Sequence, residues 1–346
     1  MPPPRRLVSL DIFRGITIAA MILVNNPGSW SEIYPPLRHA IWHGFTPTDM
    51  VFPFFLWISG VAMTLSFNRR ESEGANKANL LLHTARRAAT IFGLGLLLNL
   101  IPNFDFAHFR IPGVLQRIGL CYFFATLIYL YTSRRGQIIA ALSLLALYSG
   151  IMLFAPFPGD TTDRFSIESN AARWIDGILL EGHMWRQTKV WDPEGALSTI
   201  PAIVTILCGI LATQYLKTGA ILTASGLILS LVIPINKSLW TPSFVLLMAG
   251  LASLIYGSLH YWIDQKGNRR GWKFFEIYGT NAIVSFILSG AIGRILGQTG
   301  NTKAIYDGLC QFVSPINASL LYALLNVFAC FSVVYLLYRK KILVRL

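Results

Sequence analysis

Two histidines and an aspartate stand directly before an apolar run in the segment LRHAIWHGFTPTDMVFPFFLWISG, which covers residues 37–60. These residues are His39, His43 and Asp49. Imidazole ordinarily titrates near neutral pH, so such a histidine could transfer a proton or anchor a chain segment at a membrane boundary. Ionisable groups beside apolar segments are costly and commonly line a cavity. Asn25 and Asn26 end the preceding apolar run at the same depth, which favours a shared polar site.

Further charged and amide side chains recur where other apolar runs begin on the same side. They lie in RIPGVLQRIG (110–119), WDPEGALSTIP (191–201) and NKSLWTPS (236–243). Each segment alone has a simpler explanation as a turn, a helix start or an interfacial arginine. Because all of them fall on one face, we expect a substrate-binding site there, formed by Arg110, Gln116, Arg117, Asp192, Glu194 and Lys237.

The elements that position these residues are predicted to be transmembrane helices. Hydrophobic residues make up 54% of the 346 residues and charged residues 13%, and the mean hydropathy is +0.53. Soluble domains rarely have this composition. We expect an all-α polytopic membrane protein that forms a single domain over residues 1–346. An outer loop is predicted at about 156–197, and its aromatic and acidic side chains are suited to binding sugars. About ten spans are predicted, at 10–26, 49–67, 83–101, 115–132, 137–155, 198–216, 219–235, 243–262, 278–297 and 316–338.

Loop charge predicts the orientation of these spans. One set of connections and both termini, counted with Arg14, Arg86 and Arg87 in the adjoining spans, holds 19 of the 29 Lys and Arg and 5 of the 16 acidic residues. The net charge of +13 therefore divides into +14 on that side and −1 on the other. By the positive-inside rule the basic side is cytoplasmic, and His39 faces outward. The basic charge therefore indicates topology and anionic lipid headgroups, and no nucleic-acid partner is expected.

The cysteines give no sign of a metal site or a disulfide framework. All four fall in or beside predicted spans without the spacing typical of metal ligands, and small apolar packing roles are the simpler interpretation. We therefore expect no metal. The residues concerned are Cys121, Cys208, Cys310 and Cys330.

Six blocks in a fixed order carry a resemblance to a known family: LDIFRGITIAAMILVNN, HAIWHGFTPTDMVFPFFLWISG, RIPGVLQRIG, WDPEGALSTIPAI, INKSLWTPSF and GTNAI. Together they closely resemble the heparan-α-glucosaminide N-acetyltransferase family, in particular its bacterial membrane members. Several blocks in order are more specific than any single motif. The resemblance implies a transmembrane enzyme of the bacterial inner membrane that takes acetyl-CoA from the cytoplasm and acetylates a terminal glucosamine amine on the outer side.

The resemblance also implies roles for individual residues. The family's active-site histidine lies in an H-A-x-W-x-G block, which is HAIWHG here and indicates His39, whereas His43 stands where the family often has Asn. His39 could act as a general base on the amine or could carry the acetyl group itself. Asn25 and Asp49 match family positions, and would bind the developing oxyanion and fix the ring tautomer, respectively. Asn281, in the GTNAI block, joins the expected substrate-binding residues.

The acetyl-CoA donor should enter from the basic side, because its phosphates cannot cross hydrocarbon unaided. Arginines at the cytoplasmic ends of spans are candidates to hold these phosphates, although topology alone also predicts arginines there. The candidates are Arg86, Arg87, Arg269 and Arg270, with Arg69 and Arg70 nearby.

Two other functions remain open on the sequence alone. The same polar clusters could form the binding site of a transporter or flippase for a polar or lipid-linked solute, although no convincing inverted repeat is visible. O-acetylation of an envelope polysaccharide would differ only in its acceptor. The expected partners are an amino-sugar or glycan acceptor, acetyl-CoA and membrane lipids, with a homodimer left open.

Overall fold

A computed structural model describes residues 7–101, 104–159 and 161–344 of the chain, and 70% of it is helical with no strand in those ranges. A single isolated β-bridge joins Gly44 and Asn236. The helices are α1 (Val8–Asn25), α2 (Val51–Ser72), α3 (Lys77–Leu100), α4 (Val114–Tyr131), α5 (Arg134–Phe154), α6 (Ala171–Leu179), α7 (Ala196–Leu211), α8 (Tyr215–Leu229), α9 (Pro242–Leu259), α10 (Lys273–Thr280), α11 (Ala282–Gln298), α12 (Asn301–Cys310) and α13 (Pro315–Arg339).

Helix starts follow local sequence signals. Asn76 and Asn170 precede α3 and α6, and each side-chain oxygen accepts a hydrogen bond from the backbone N–H three residues later, at 2.9 and 2.8 Å. This arrangement satisfies a donor that the first helical turn would otherwise leave unpaired. Pro242 and Pro315 occupy the first positions of α9 and α13, where the missing N–H costs nothing.

Each of the ten predicted spans overlaps a helix, although the one at 278–297 is divided between α10 and α11, and the all-α membrane fold is confirmed. Within the described residues, six helices are long and apolar enough to cross a membrane, namely α1, α2, α4, α5, α9 and α13. The pair α10 and α11 would add a seventh, although it bends by 85° at its break, and α7 and α8 are apolar but shorter. The count of ten therefore stays a prediction.

Glycines allow two pairs of helices to approach at backbone distance. A Cβ at Gly60 of α2 would lie 2.2 Å from the carbonyl oxygen of Ile206, and one at Gly209 of α7 would lie 2.1 Å from that of Trp57. A Cβ at Gly15 of α1 or Gly279 of α10 would meet the other helix's backbone oxygen at 1.8 Å. Small residues at such crossings are typical of helix packing in membranes.

Three connections meet at one end of the bundle, which we call the His39 end. They are the loop between α1 and α2 (residues 26–50), the segment between α5 and α7 (155–195), which contains α6, and the loop between α8 and α9 (230–241). Trp42 of the first connection donates its indole N–H to the Phe165 carbonyl of the second at 2.8 Å. Gly44 donates to the Ile235 carbonyl of the third at 2.7 Å. These cross-links bring the predicted polar residues into one region.

Candidate active site

His39 and Asp49 form a hydrogen-bonded pair at the start of α2. His39 Nδ1 lies 2.6 Å from Asp49 Oδ1. The other oxygen, Oδ2, accepts the backbone N–H groups of Ala40 at 3.0 Å and Thr46 at 2.9 Å. Thr46 and Asp49 make a capping box over a short 3₁₀ turn, Pro47–Met50, which leads into α2. The T-P-T-D sequence before the apolar run is the signal that fixes the carboxylate in this position.

This geometry determines the tautomer of the His39 ring. An ionised carboxylate only accepts hydrogen bonds, so Nδ1 must carry the proton that it shares with Asp49. Nε2 then has a free lone pair that can take a proton or attack a carbonyl carbon. Asp49 is 1% exposed and His39 is 44% exposed, so the carboxylate is fixed in the protein while the reactive side of the ring remains accessible.

Lys237 lies against both members of this pair. Its Nζ is 3.4 Å from Asp49 Oδ1, 3.0 Å from His39 Nδ1 and 3.5 Å from His39 Nε2. Burial lowers the pKa of Lys237, and the carboxylates of Asp49 and Glu194 oppose that change. The ammonium group therefore lies close to the reactive nitrogen, although 198 residues separate the two in the chain.

A second charged cluster joins the loop before α4 to the turn before α7. The Arg110 guanidinium donates Nε–H to Asp192 Oδ2 at 2.8 Å and Nη2–H to both Asp192 Oδ1 and Glu194 Oε2. Burial opposes the charge on Arg110, but Glu194 and Asp192 together raise its pKa. Asp192 also accepts the backbone N–H of Trp185 at 2.9 Å. The bidentate pair thus fixes the turn that precedes α7.

Asp176 of α6 also binds the turn before α7. One carboxylate oxygen accepts the backbone N–H of Ala196 at 2.9 Å and the other that of Asp192 at 3.4 Å. Burial raises the pKa of Asp176 to about 6, although these hydrogen bonds act in the opposite direction. The sequence prediction missed this residue, because its role depends on the short helix α6 packing under the turn.

Arg117 is buried within the bundle, 1% exposed. It donates Nη2–H to the Gly195 carbonyl at 3.0 Å and also to Ser198 Oγ. Its guanidinium lies over the Trp240 ring, 5.2 Å from the centroid. Nε and Nη1 have no hydrogen-bond partner within the described part of the chain. Arg117 therefore connects α4 to the turn before α7 and to the loop that carries Lys237.

A pocket of about 480 Å³ opens beside Arg110. Arg186 and Arg294 also line it, together with Trp185 and Gln187. Arg294 comes from α11 and donates to Asn99 Oδ1 at 3.3 Å. The pocket combines cationic donors with an aromatic side chain, a set of groups that suits a polar ligand such as a sugar.

Contacts between loops connect the pocket to the histidine pair. Trp42 and Trp191 meet edge to face with centroids 5.2 Å apart, so the loop of His39 contacts the turn of Asp192 and Glu194. Glu194 in turn lies near enough to Lys237 to act on its pKa. The structure thus brings together seven of the predicted residues: His39, Asp49, Arg110, Arg117, Asp192, Glu194 and Lys237.

Three other predicted site residues, Asn25, Gln116 and Asn281, make no hydrogen bond or ion pair with this group in the described residues. Asn25 is exposed at the end of α1, and its side chain makes no hydrogen bond in the described ranges. Gln116 is buried against Gly95 and Gly113. Asn281 lies at the break between α10 and α11, where its side chain bonds the backbone of residues 342 and 344. His43 is exposed, and its Nδ1 is 3.4 Å from Asn236 Nδ2.

The predicted donor-site arginines lie at the opposite end of the bundle. Arg86, Arg269 and Arg270 are exposed. Arg87 stacks on Tyr122, with 5.0 Å from the guanidinium carbon to the ring centroid. The Nε atoms of Arg87 and of its neighbour Arg70 are buried without a hydrogen-bond partner in the described residues. Such unpaired donors fit an anionic ligand.

The described part of the chain contains no group of three or more His, Cys, Asp or Glu side chains that could hold a metal ion. The four cysteines are free thiols. The reactive groups at the His39 end are thus an imidazole, carboxylates, a lysine and arginines. These groups suit acid–base or acyl-transfer chemistry.

Known proteins of one family are similar to this chain. Residues 6–166 match the family model described as heparan-alpha-glucosaminide N-acetyltransferase, catalytic. The human heparan-alpha-glucosaminide N-acetyltransferase is 30% identical over 408 residues, which cover 98% of this chain and 60% of the human protein. The mouse protein of the same name is 30% identical, covering 82% of this chain and 53% of its own length. The chain thus spans little more than half the length of these relatives.

Proposed function

The chain belongs to the heparan-alpha-glucosaminide N-acetyltransferase family, and we propose that it is a transmembrane acetyltransferase that moves an acetyl group from acetyl-CoA to the amine of an amino sugar. The observation that carries this proposal is the pair of His39 and Asp49, at 2.6 Å. The pair lies inside the matched residues 6–166. It leaves Nε2 of a partly exposed imidazole free to react.

His39 can serve the reaction in two ways. As a general base, Nε2 removes the proton from the sugar amine while the amine attacks the thioester. As an acetyl carrier, Nε2 attacks the thioester first and the amine then attacks the acetyl-imidazole. In both routes the imidazole gains positive charge, and the Asp49 carboxylate, 2.6 Å from Nδ1, stabilises that charge and holds the ring in place.

We assign the acceptor to the pocket of about 480 Å³ beside Arg110. Its volume is within the range of small-molecule sites. Arg110 of the pocket pairs with Glu194, and Glu194 acts on the charge of Lys237, which lies beside the reactive pair. Trp185 offers an aromatic surface to a pyranose ring, and the arginine donors suit its hydroxyl or acidic substituents.

The donor enters from the other end of the bundle in this proposal. Arg70 and Arg87 would hold phosphate groups of acetyl-CoA, because each has a buried Nε–H that lacks a partner in the described residues. The protein is a multi-pass integral membrane protein. We place it in the bacterial inner membrane, with the arginine end in the cytoplasm and the His39 end outside, because loop charge divides into +14 and −1.

Replacement of His39 by alanine tests the proposal. Purified full-length protein in detergent is given radiolabelled acetyl-CoA and a panel of amino sugars, and acetylated sugar and released CoA are both measured. We expect His39→Ala to lower transfer by about 10²–10⁴-fold, because the base or carrier is lost. The variant should remain folded, since the ring is 44% exposed and contributes little packing.

His43→Ala is the matched control, because His43 is an exposed imidazole four residues further along the same loop. It should keep most of the activity. Incubation with labelled acetyl-CoA and no acceptor then separates the two routes, since only the carrier route leaves label on His39. Near-normal transfer by His39→Ala, or an absence of transfer by the unmodified protein with every acceptor, would contradict the proposal.

A further inference from the structure

Lys237 has a position that neither the pairing of His39 with Asp49 nor the acceptor pocket explains. Its side chain is only 20% exposed, so the charge is held largely away from water at a cost in free energy. The loop that carries it is anchored on both sides. Gly44 donates to Ile235 O at 2.7 Å, and Asn236 Oδ1 accepts the N–H of Leu239 at 2.9 Å. The ammonium group is thus fixed beside the histidine.

The protons around the ring restrict what this ammonium can contact. Because Nδ1–H is directed to Asp49, the ammonium cannot donate to Nδ1 despite a separation of 3.0 Å. The ammonium group forms an ion pair with Asp49 Oδ1, which lies 3.4 Å from Nζ. Its N–H groups that do not face Asp49 remain available, and Nε2 lies 3.5 Å from Nζ. They therefore lie beside the atom at which an acyl group would be attached.

We propose that Lys237 is a catalytic residue whose ammonium group binds the oxyanion that forms when an acyl group is transferred at His39 Nε2. This inference rests on the proposed function. A carbonyl oxygen on a carbon bonded to Nε2 lies about 2.3 Å from that nitrogen, given bond lengths near 1.2–1.5 Å. A cation 3.5 Å from the same nitrogen can therefore reach the oxygen at hydrogen-bond distance. Asn25, the expected oxyanion donor, is exposed at the end of α1.

Each bond change is accounted for in this step. The Nε2 lone pair forms a bond to the thioester carbon, and the C=O π electrons move to oxygen, where Lys237 neutralises them. Collapse restores C=O, breaks the C–S bond and releases CoA thiolate. The sugar amine then attacks the acetyl carbon and forms a second oxyanion at the same place. Its collapse breaks the bond to Nε2, and the amine proton passes through water to the thiolate.

The charges that face Lys237 predict a pH dependence. Asp49 and His39 face it from the loop before α2, Glu194 from the turn before α7, and Arg117 from α4. Burial lowers the pKa of Lys237, and Asp49 and Glu194 oppose that change. Since only the ammonium form stabilises an oxyanion, kcat should fall as pH rises through this lowered pKa. An arginine at the same position stays protonated and should shift that alkaline limit to higher pH.

Lys237→Met and Lys237→Arg, in full-length protein, test the inference. We expect Lys237→Met to lower kcat by about 10²–10³-fold with less than a threefold change in the KM for acetyl-CoA. Lys237→Arg should recover part of kcat and move the alkaline limit upward. Lys303→Met, which removes a lysine that is 80% exposed on α12, is the control and should match the unmodified protein. Melting temperature and elution volume report whether each variant folds.

The outcomes separate this inference from the proposed function. If the unmodified protein transfers no acetyl group to any amine, the proposed function itself fails. If it transfers acetyl and Lys237→Met keeps a normal kcat, the role of Lys237 is refuted. A purely structural role would lower kcat only in proportion to the folded fraction, and Lys237→Arg would leave the alkaline limit unchanged. An unchanged alkaline limit in Lys237→Arg would therefore also refute the inference, even if Lys237→Met did not fold.

Discussion

Arg110 is the residue that connects the acceptor pocket to the turn before α7. Its guanidinium is 22% exposed and pairs with Asp192, which is fully buried, and Glu194. Without Arg110, the buried carboxylates of Asp192 and Glu194 would lose this counter-ion. Lysine could not replace it fully, because only a guanidinium matches a carboxylate with two parallel N–H groups.

Arg110→Ala should therefore lower stability as well as activity. Removal of one partner from a buried ion pair costs about 3–5 kcal/mol, and the melting temperature in detergent measures this loss. Arg186→Ala is the control, because Arg186 lines the same pocket but is exposed, and surface substitutions usually change stability by about 0.5 kcal/mol or less. Equal melting temperatures for the two variants would show that the cluster contributes little.

The sequence alone predicted the pair of His39 and Asp49, but it did not predict that Lys237 lies beside this pair. His39 and Asp49 are ten residues apart in one loop, so their proximity could be predicted locally. Lys237 was predicted only as a substrate contact, because its distance from His39 depends on a bridge between loops 198 residues apart. Asn25 was expected to reach the same place, but the last turn of α1 leaves it exposed.

The helices could be predicted from apolar runs, whereas their contacts could not. Each of the ten predicted segments overlaps a helix, because a chain in lipid has to satisfy its backbone hydrogen bonds within the segment. Hydropathy contains no information on which helices meet. It therefore predicted one continuous span at 278–297, while the structure bends by 85° between α10 and α11. The pairing of Gly60 with α7 also appeared only in the structure.

Gly60→Ala should destabilise the crossing of α2 and α7. The added Cβ would lie 2.2 Å from the Ile206 carbonyl oxygen, which belongs to the backbone and cannot move without shifting the helix. Overpacking of this kind typically costs about 1–3 kcal/mol. Thermal unfolding in detergent measures the effect.

Gly93→Ala is the matched control in α3, because a Cβ there has no atom within 4 Å. It should be neutral or stabilising, since alanine favours a helix by about 1 kcal/mol over glycine. A lower melting temperature for Gly93→Ala than for Gly60→Ala would contradict the close crossing.

For the whole molecule, the proposed mechanism needs its two ends on opposite sides of the membrane. We expect position 72, at the end of α2, to face the cytoplasm and position 162, in the segment before α6, to face outward. Ser72 and Thr162 are both exposed, so single cysteines there should report their side. The background lacks the native thiols Cys121, Cys208, Cys310 and Cys330.

An impermeant thiol reagent applied to intact cells should label Thr162→Cys and leave Ser72→Cys unlabelled. Permeabilised cells are the control, in which both positions should react. Labelling of position 72 alone in intact cells would reverse the orientation, and acetyl-CoA would then have to reach His39 from the side on which the acceptor was expected.

The bridge between Gly44 and Asn236 determines when the loops of the site become ordered, during folding rather than during the catalytic cycle. Loops that carry reactive groups often become ordered only when a ligand arrives, and that ordering weakens binding. Here the loops of His39 and Lys237 are tied together by the protein's own backbone, since Gly44 donates its N–H to the Ile235 carbonyl. The conformational entropy is thus lost once, during folding, rather than at each turnover. Substrates should then meet a rigid site, and their affinity should depend little on loop motion.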